Sequence, residues 1–182
     1  MPFVTGIGES LRPAGERVTL ARRMKKIAKV DLDAPKPEAQ LRAFLARFEP
    51  KQQKLFRAVR AAARKRFPTA NELAYDYSHS VVIGYSPNMN GIDAVVAIAV
   101  REDGVALYVS HTLPDPKKLL LGTGKQTRFV RIESAKHIAH PDIVALLKAA
   151  PGHAKVPLPA EGKGALIVKS DATKRARRKK AK

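Results

Sequence analysis

The segment between residues 122 and 131 contains the side chains best spaced for binding an anion. Two glycines are followed closely by three cations, and these residues are Gly122, Gly124, Lys125, Arg128 and Arg131. Backbone N–H groups at successive glycines can form a concave anion nest, and the cations would add positive charge beside it. The spacing therefore predicts a weak site for phosphate or a similar anion at this turn.

This segment does not match a nucleotide-binding P-loop. That motif requires a glycine five residues before its Gly-Lys pair and a Ser or Thr directly after the lysine. Leu119 and Gln126 occupy those two positions here, and a predicted strand rather than a helix follows. The alternative to an anion nest is an ordinary glycine turn with solvated cations.

A second cationic cluster lies at the end of the sequence. Residues 170–182 carry seven basic side chains against one acid, Asp171. A block of like charge this dense has little to bury, so we expect residues 171–182 to form a disordered basic tail. The tail would either lie along phosphates or serve only as a solubilising terminus. Its central cations are Lys174, Arg175, Arg177, Arg178, Lys179 and Lys180.

Carboxylates give a weaker signal, for a metal site. Glu72 and Asp76 share the polar face of one predicted strand, and carboxylates are the ligands that hard iron ions prefer. The positive charge of the surrounding segment would repel iron, so we expect neither a metal nor a cofactor. The absence of cysteine excludes thiol catalysis, disulfides and thiolate zinc sites. An enzyme whose site is assembled from distant residues is a further alternative.

Net charge points to the same kind of partner as the motifs do. Lys and Arg outnumber Asp and Glu by 35 to 16 in 182 residues, which leaves a formal charge of +19. Such an excess favours a polyanionic partner such as nucleic acid. The chain has six Phe, four Tyr and no Trp, so phosphates rather than stacked bases would hold that partner. Apolar runs are far shorter than the ~20 residues of a membrane span, and we expect a cytoplasmic protein.

Two periodicities predict the elements that position these residues. Apolar spacing of 3.6 predicts helices over 38–48 and from Pro50 to Phe67. Asp142 near its start and Pro151-Gly152 at its end indicate a further helix over 141–150, and we expect a short helical piece around 117–121. Alternation or continuous apolar runs predict strands over 72–85, 93–101, 105–110, 128–133 and 165–169. In the second helix we expect an apolar stripe of Leu55, Val59, Ala62 and Ala63.

The long alternating stretch predicts a sharply two-sided strand. One face would hold Leu73, Tyr75, Tyr77, His79, Val81, Ile83 and Tyr85. The other face would hold Glu72, Ala74, Asp76, Ser78 and Ser80. The stretch could be two strands joined by a bend, and with the following hairpin it forms an antiparallel meander.

These elements give an α+β domain with extensions. Residues 37–154 form the domain, and residues 1–36 form a basic extension with a short amphipathic helix at 20–27 and a Pro-rich linker. Residues 155–182 contain one further strand and the basic tail. No stretch alternates as strand, helix and parallel strand, which argues against a doubly wound nucleotide-binding fold.

Several of these pieces together resemble a known family. They are a helix pair ending in Arg-Phe-Pro, a Tyr-rich strand, a hairpin ending in Leu-Tyr-Val-Ser-His, and Gly122-x-Gly-Lys-x-x-Arg128. Over residues 38–150 the chain resembles the YdhG-like domain family of unknown function. The resemblance implies helices on one side of a curved antiparallel sheet, a shape shared with secretion-chaperone-like domains. One member is described as a frataxin-like intracellular iron chaperone, so the resemblance also implies iron binding as an alternative.

The residues favour a protein that acts by binding rather than by catalysis. The expected partner is a phosphate-rich ligand or a nucleic acid, bound with weak sequence specificity. The alternatives are a frataxin-like iron-binding chaperone and an enzyme whose site is not visible in the sequence.

Deleting residues 170–182 tests the role of the tail. If the tail neutralises ~6 phosphates, a plot of log affinity against log salt has a slope of about −5 from the tail. Deletion should flatten most of the salt dependence in a mobility-shift titration with nucleic acid. A slope near zero for the full chain would eliminate nucleic-acid binding.

Overall fold

Six strands form one open sheet in the computed structural model, which describes residues 35–169. The strands are β1 (Asn71–Tyr77), β2 (Ser80–Ser86), β3 (Val96–Arg101), β4 (Gly104–Ser110), β5 (Thr127–Ile132) and β6 (Leu166–Val168). Their order across the sheet is β5-β4-β3-β2-β1-β6, and every neighbouring pair is antiparallel except β1 and β6. The α+β class is therefore confirmed. The predicted helix at 20–27 and the basic tail lie outside the described residues.

Four α-helices accompany the sheet within residues 35–169. They are α1 (Pro37–Leu45), α2 (Pro50–Arg66), α3 (Ala135–Ile138) and α4 (Pro141–Ala149), with 3-10 turns at Gly91–Asp93 and Ala150–His153. Three of the α-helices begin with proline, whose fixed φ suits the first turn and whose missing N–H costs nothing there. Within residues 35–169, no helix combines the length and apolarity needed to cross a membrane.

The helices bury their apolar side chains on one face of the sheet. Phe56, Val59 and Ala63 of α2 are fully buried in a single core cluster with residues from α1 and α4. Burying a side chain such as Phe56 contributes roughly 1.5–3 kcal/mol. Of the predicted stripe, Val59 and Ala63 are fully buried, whereas Leu55 and Ala62 are only partly buried and Phe56, which the stripe omitted, is fully buried. The sheet side chains in this core are Ala74, Val81, Ile83, Tyr85, Val96, Ile98, Val100, Val105, Leu107, Val109, Val130 and Ile132.

The predicted face of the long alternating stretch is wrong. Residues 78 and 79 form a two-residue turn, and the register pairs Tyr77 with Ser80 and Tyr75 with Val82. Directly paired residues share a face, so odd-numbered β1 residues lie beside even-numbered β2 residues. Ile83 and Tyr85 therefore share the helix-covered face with the even-numbered β1 residues, and Tyr75 lies on the opposite, open face.

Residues 117–121 do not form the predicted helix. The carboxylate of Asp115 accepts hydrogen bonds from the backbone N–H groups of Leu119 and Leu120, at 2.9 and 2.8 Å. A side chain that bonds nearby N–H groups in this way offers them an alternative to the helix. Lys118 takes a left-handed conformation with φ of 54°, and Leu121 pairs with Phe129 in an isolated β-bridge.

The last predicted strand is confirmed and joins the sheet edge. The N–H of Glu72 donates to Ala165 O at 2.8 Å, and the N–H of Lys169 donates to Ala74 O at 2.7 Å. A Cβ on Gly164 would collide with the carbonyl oxygen of Ala70, so this close approach requires glycine.

Glu72 is the centre of a buried ionic network. Only 1 % of its side chain is exposed, and it points toward the helices rather than to solvent as predicted. Arg60 donates to it through Nε at 3.0 Å and Nη2 at 2.6 Å, and Arg64 Nη1 donates at 2.6 Å. The Tyr85 hydroxyl lies 3.0 Å from Oε1 of Glu72. Burial, followed by the Glu72 charge, raises the pKa of Tyr85 far above its ordinary value.

Arg60 extends the network to α1. Its Nη1 and Nη2 donate to the carboxylate of Glu38 at 2.8 and 2.6 Å. These hydrogen bonds lower the pKa of Glu38. The Glu38 contribution to stability is therefore present above its ordinary pKa and is lost as the pH falls through its lowered pKa. One guanidinium thus ties α1, α2 and β1 together.

Glu72→Gln should destabilise the fold strongly. The change leaves Arg60 and Arg64 without their buried carboxylate, and removing one partner of a buried pair costs about 3–5 kcal/mol. The free energy of unfolding from urea titration is the measurement. Glu49→Gln, at an exposed position, should change it by no more than about 0.5 kcal/mol. Equal losses for the two variants would contradict the structural role of Glu72.

Candidate functional site

The open face of the sheet carries a cavity of about 600 Å³. The strand register places the side chains of Tyr75, Val82, Ala97 and Tyr108 on this face, and Gly84 pairs directly with Ala97. No large side chain lies at the centre, where Ala97 presents only a methyl group and a Cβ on Gly84 would lie 3.2 Å from Ala94 Cβ. The floor is therefore a shallow apolar depression between two tyrosines.

An aromatic pair lies on each side of this floor. The rings of Tyr75 and Tyr77 are stacked, with centroids 6.0 Å apart and an interplanar angle of 11°. The rings of Tyr108 and Phe129 lie 5.5 Å apart and are tilted by 34°. Burial, with a smaller contribution from Tyr77, raises the pKa of Tyr75, so its hydroxyl stays protonated at neutral pH.

One wall of the cavity is the loop that follows β2. Asn88 Nδ2 and Asn90 Nδ2 both donate to Oδ2 of Asp93, at 3.0 and 3.1 Å, and the Asn90 side chain accepts from the N–H of Ile92. A Cβ on Gly91 would collide with the hydroxyl of Tyr75. A larger residue at position 91 would therefore have to displace the end of the Tyr75 side chain where this wall meets the floor.

Arg128 organises the opposite wall. Its Nη2 donates to the carbonyl oxygens of His111 and Leu113 at 3.0 and 2.7 Å, and the N–H of His111 donates to Gln126 O at 3.1 Å. The Nε of Arg128 is buried without a hydrogen-bond partner among residues 35–169. A guanidinium can hold two carbonyls at once because its donors lie in a fixed plane.

Basic side chains outnumber carboxylates in the lining of the cavity. The lining includes two exposed lysines, Lys125 and Lys155, and two histidines, His111 and His153. Asp93 is the one carboxylate among the lining residues of this described cavity, and two amide groups already bind it. An anion entering the cavity would therefore meet more positive than negative charge.

The five residues of the predicted anion nest do not converge. Lys125 lines the cavity, but the register pairs Arg128 with Val109, so Arg128 belongs to the other face of β5. Arg131 lies on the open face, where its Nη2 pairs with Asp103 at 2.9 Å.

Each of the two glycines of the predicted nest lies in close contact with a residue of β5. Gly122 has a left-handed φ of 89° and lies against the Phe129 ring, while Gly124 approaches the backbone of Thr127. Anion binding at the turn itself stays a prediction.

The two carboxylates of the alternative iron site, Glu72 and Asp76, form ion pairs with arginines. Glu72 binds Arg60 and Arg64, and Asp76 Oδ1 accepts from Arg47 Nη1 at 2.6 Å. Over residues 35–169, no group of three or more His, Asp or Glu side chains could hold a metal ion.

A hydroxyl and an imidazole also meet in the cavity wall. Thr112 Oγ1 lies 3.5 Å from His153 Nδ1 and 2.8 Å from Ser110 Oγ. General-base activation of a hydroxyl needs a separation of about 2.6–3.2 Å. The Thr112–His153 separation is longer than this range, and both side chains line the cavity, where they can form hydrogen bonds to a ligand.

Most lining residues were missed by reasoning from the sequence. Tyr75 and Tyr108 come together through strand register, and His153 comes from a turn after the last helix. Lys125 was the one lining residue in the predicted set. The sequence shows the alternation that includes Tyr75, but the two-residue turn at 78 and 79 determines which face of the sheet Tyr75 occupies.

Comparison with known proteins finds no matching family model, no matching curated protein and no matching solved structure.

Arg128→Met should loosen the wall that contains His111. Losing a charged donor from two carbonyls should cost about 1–3 kcal/mol and speed hydrogen exchange at the His111 amide. Arg131→Met is the matched control on the same strand, since its exposed pair with Asp103 should contribute at most about 1 kcal/mol. Unchanged exchange at His111 in the Arg128 variant would show that this contact does not hold the wall.

Proposed function

We propose that this protein acts by binding a small anion that carries a flat apolar group, in the cavity on the open face of the sheet. The observation that carries the proposal is the combination in one cavity of a tyrosine-flanked apolar floor with two lysines and two histidines. A cytoplasmic location, expected from the sequence, belongs to the same proposal.

The two parts of such a ligand have separate partners. The flat group would lie on the floor formed by Gly84 and Ala97, between Tyr75 and Tyr108. Base or ring stacking on an aromatic side chain contributes about 1–3 kcal/mol. A phosphate or carboxylate would accept hydrogen bonds from Lys125 or Lys155, and each charged hydrogen bond contributes about 1.5–3 kcal/mol.

An iron-binding chaperone is less well supported by the same contacts. Iron would have to displace Arg60 and Arg64 from Glu72, and Arg47 from Asp76. Leaving a buried guanidinium unpaired is costly, so these carboxylates are poor ligands in the folded state. Membership of the YdhG-like family is likewise a proposal, and it rests on the residues between 38 and 150 quoted above.

Replacing two lysines in the cavity tests the proposal. Lys125→Gln combined with Lys155→Gln should weaken the binding of phenyl phosphate about tenfold or more, since a charged contact contributes more than 1.4 kcal/mol. Lys118→Gln combined with Lys148→Gln removes the same charge from exposed positions outside the lining and should leave binding nearly unchanged. Isothermal titration or ligand-detected NMR provides the affinities.

Ligand charge provides a second comparison. Phenol and benzylamine share the ring of phenyl phosphate, but phenol is neutral and benzylamine is positively charged. Both should bind more weakly than phenyl phosphate. Tyr108→Ala should weaken the binding of all three compounds, because it removes an aromatic ring from one side of the floor. Equal affinity for phenol and phenyl phosphate, or equal losses in the two double-lysine variants, would overturn the proposal.

A further inference from the structure

We propose that the outward face of α2 binds the phosphate backbone of a nucleic-acid duplex. The sequence of α2 contains seven basic residues and no acid within 17 residues. No other described helix has this composition. We call Lys51, Lys54, Arg57 and Lys65 the α2 basic face.

The fold separates the cations of α2 into two groups. Arg60 and Arg64 turn toward the sheet and are bound by Glu72, so their charges are compensated within the domain. The side chains of the α2 basic face are exposed. Because Glu72 compensates the inward arginines, the uncompensated positive charges of α2 lie on its exposed surface, from Lys51 to Lys65.

The spacing of the α2 basic face suits an extended polyanion. Residues 51, 54 and 65 are separated by three and eleven positions, which are close to whole helical turns. At 1.5 Å per residue they span about 21 Å, a large part of the ~34 Å repeat of a DNA duplex. Ala58 and Ala61 lie between them, and their small side chains let a phosphate backbone approach the helix.

Neighbouring elements leave this surface positive. The nearest acids at its N-terminal end are Glu49, which precedes the helix, and Glu102, whose carbonyl oxygen accepts a hydrogen bond from Gln52 Nε2 at 2.8 Å. At the C-terminal end Lys65 is followed by Arg66, which is exposed.

The structure favours a nucleic acid over an anionic membrane. A helix that binds in the membrane interface must present an apolar face to the lipid. The apolar face of α2 is occupied by the core, since Phe56, Val59 and Ala63 are 0 % exposed. Its outward face offers cations and alanines, which suit a rigid charged polymer held by counterion release. This surface lies on the opposite side of the sheet from the cavity, so it is independent of the ligand proposed there.

A charge-matched pair of triple variants tests the inference in the full chain. The first variant combines Lys51→Gln, Lys54→Gln and Lys65→Gln, and the control combines Lys118→Gln, Lys148→Gln and Lys163→Gln at exposed positions outside α2. Both retain the N-terminal and C-terminal charges. Affinity for a short DNA duplex of random sequence is measured by fluorescence anisotropy at several salt concentrations, with circular dichroism to verify folding.

The expected result is a change in the salt dependence of the first variant alone. Losing three phosphate contacts should reduce the steepness of log affinity against log salt by about 2.7, while the control keeps the slope of the unchanged protein. Equal slopes in the two variants would show binding by net charge alone and overturn the inference. Loss of binding to phosphatidylserine-containing vesicles in the first variant, with duplex binding intact, would also overturn it in favour of a membrane.

Discussion

A carboxylate that is removed from water must find compensating charge, and Glu72 imposes this constraint on the whole domain. Its partners come from one helix, Arg60 and Arg64, and from the neighbouring strand, Tyr85. An isolated buried charge would cost several kcal/mol, so the packing of α2 that delivers both guanidinium groups to Glu72 is favoured over rotations that do not. Arg60 then binds Glu38 as well, which fixes α1 against α2. The apolar core supplies most of the stabilisation, and the ionic network specifies its geometry.

The two proposed binding surfaces both follow from how this network sorts side chains. With Glu72 turned toward the helices, the odd-numbered residues of β1 lie on the open face of the sheet, where Tyr75 flanks the floor of the cavity. Turning Arg60 and Arg64 inward leaves the lysines of α2 outside. The acids inside are thus matched by arginines, and unmatched cations accumulate at the surface. This division gives a net-positive protein two distinct positive surfaces while the buried carboxylate of Glu72 stays paired.

Periodicity predicted the elements of the sheet well and the use of its faces poorly. The hairpin between β3 and β4 and the final strand could be predicted, because Asp-Gly turns and short apolar runs are local signals. The face of the sheet on which Tyr75 lies could not be predicted, because it depends on whether the turn after β1 contains one residue or two. A short helical piece was expected around residues 117–121, but the Asp115 carboxylate accepts hydrogen bonds from the backbone N–H groups of Leu119 and Leu120 instead. In the site, Lys125 was predicted from its glycines, whereas His153 comes from a distant turn and carries no linear signal.

The parallel pairing of β6 with β1 has a consequence for how the chain folds. Its contacts join residues that are more than ninety positions apart, so they close the largest loop in the sheet. Contacts this distant form slowly compared with the hairpins that join β1 to β4. During synthesis, the edge of β1 beside Glu72 therefore stays unpaired until nearly the entire domain has emerged from the ribosome. An unprotected strand edge can pair with another chain, and this interval is when the nascent protein is most exposed to aggregation.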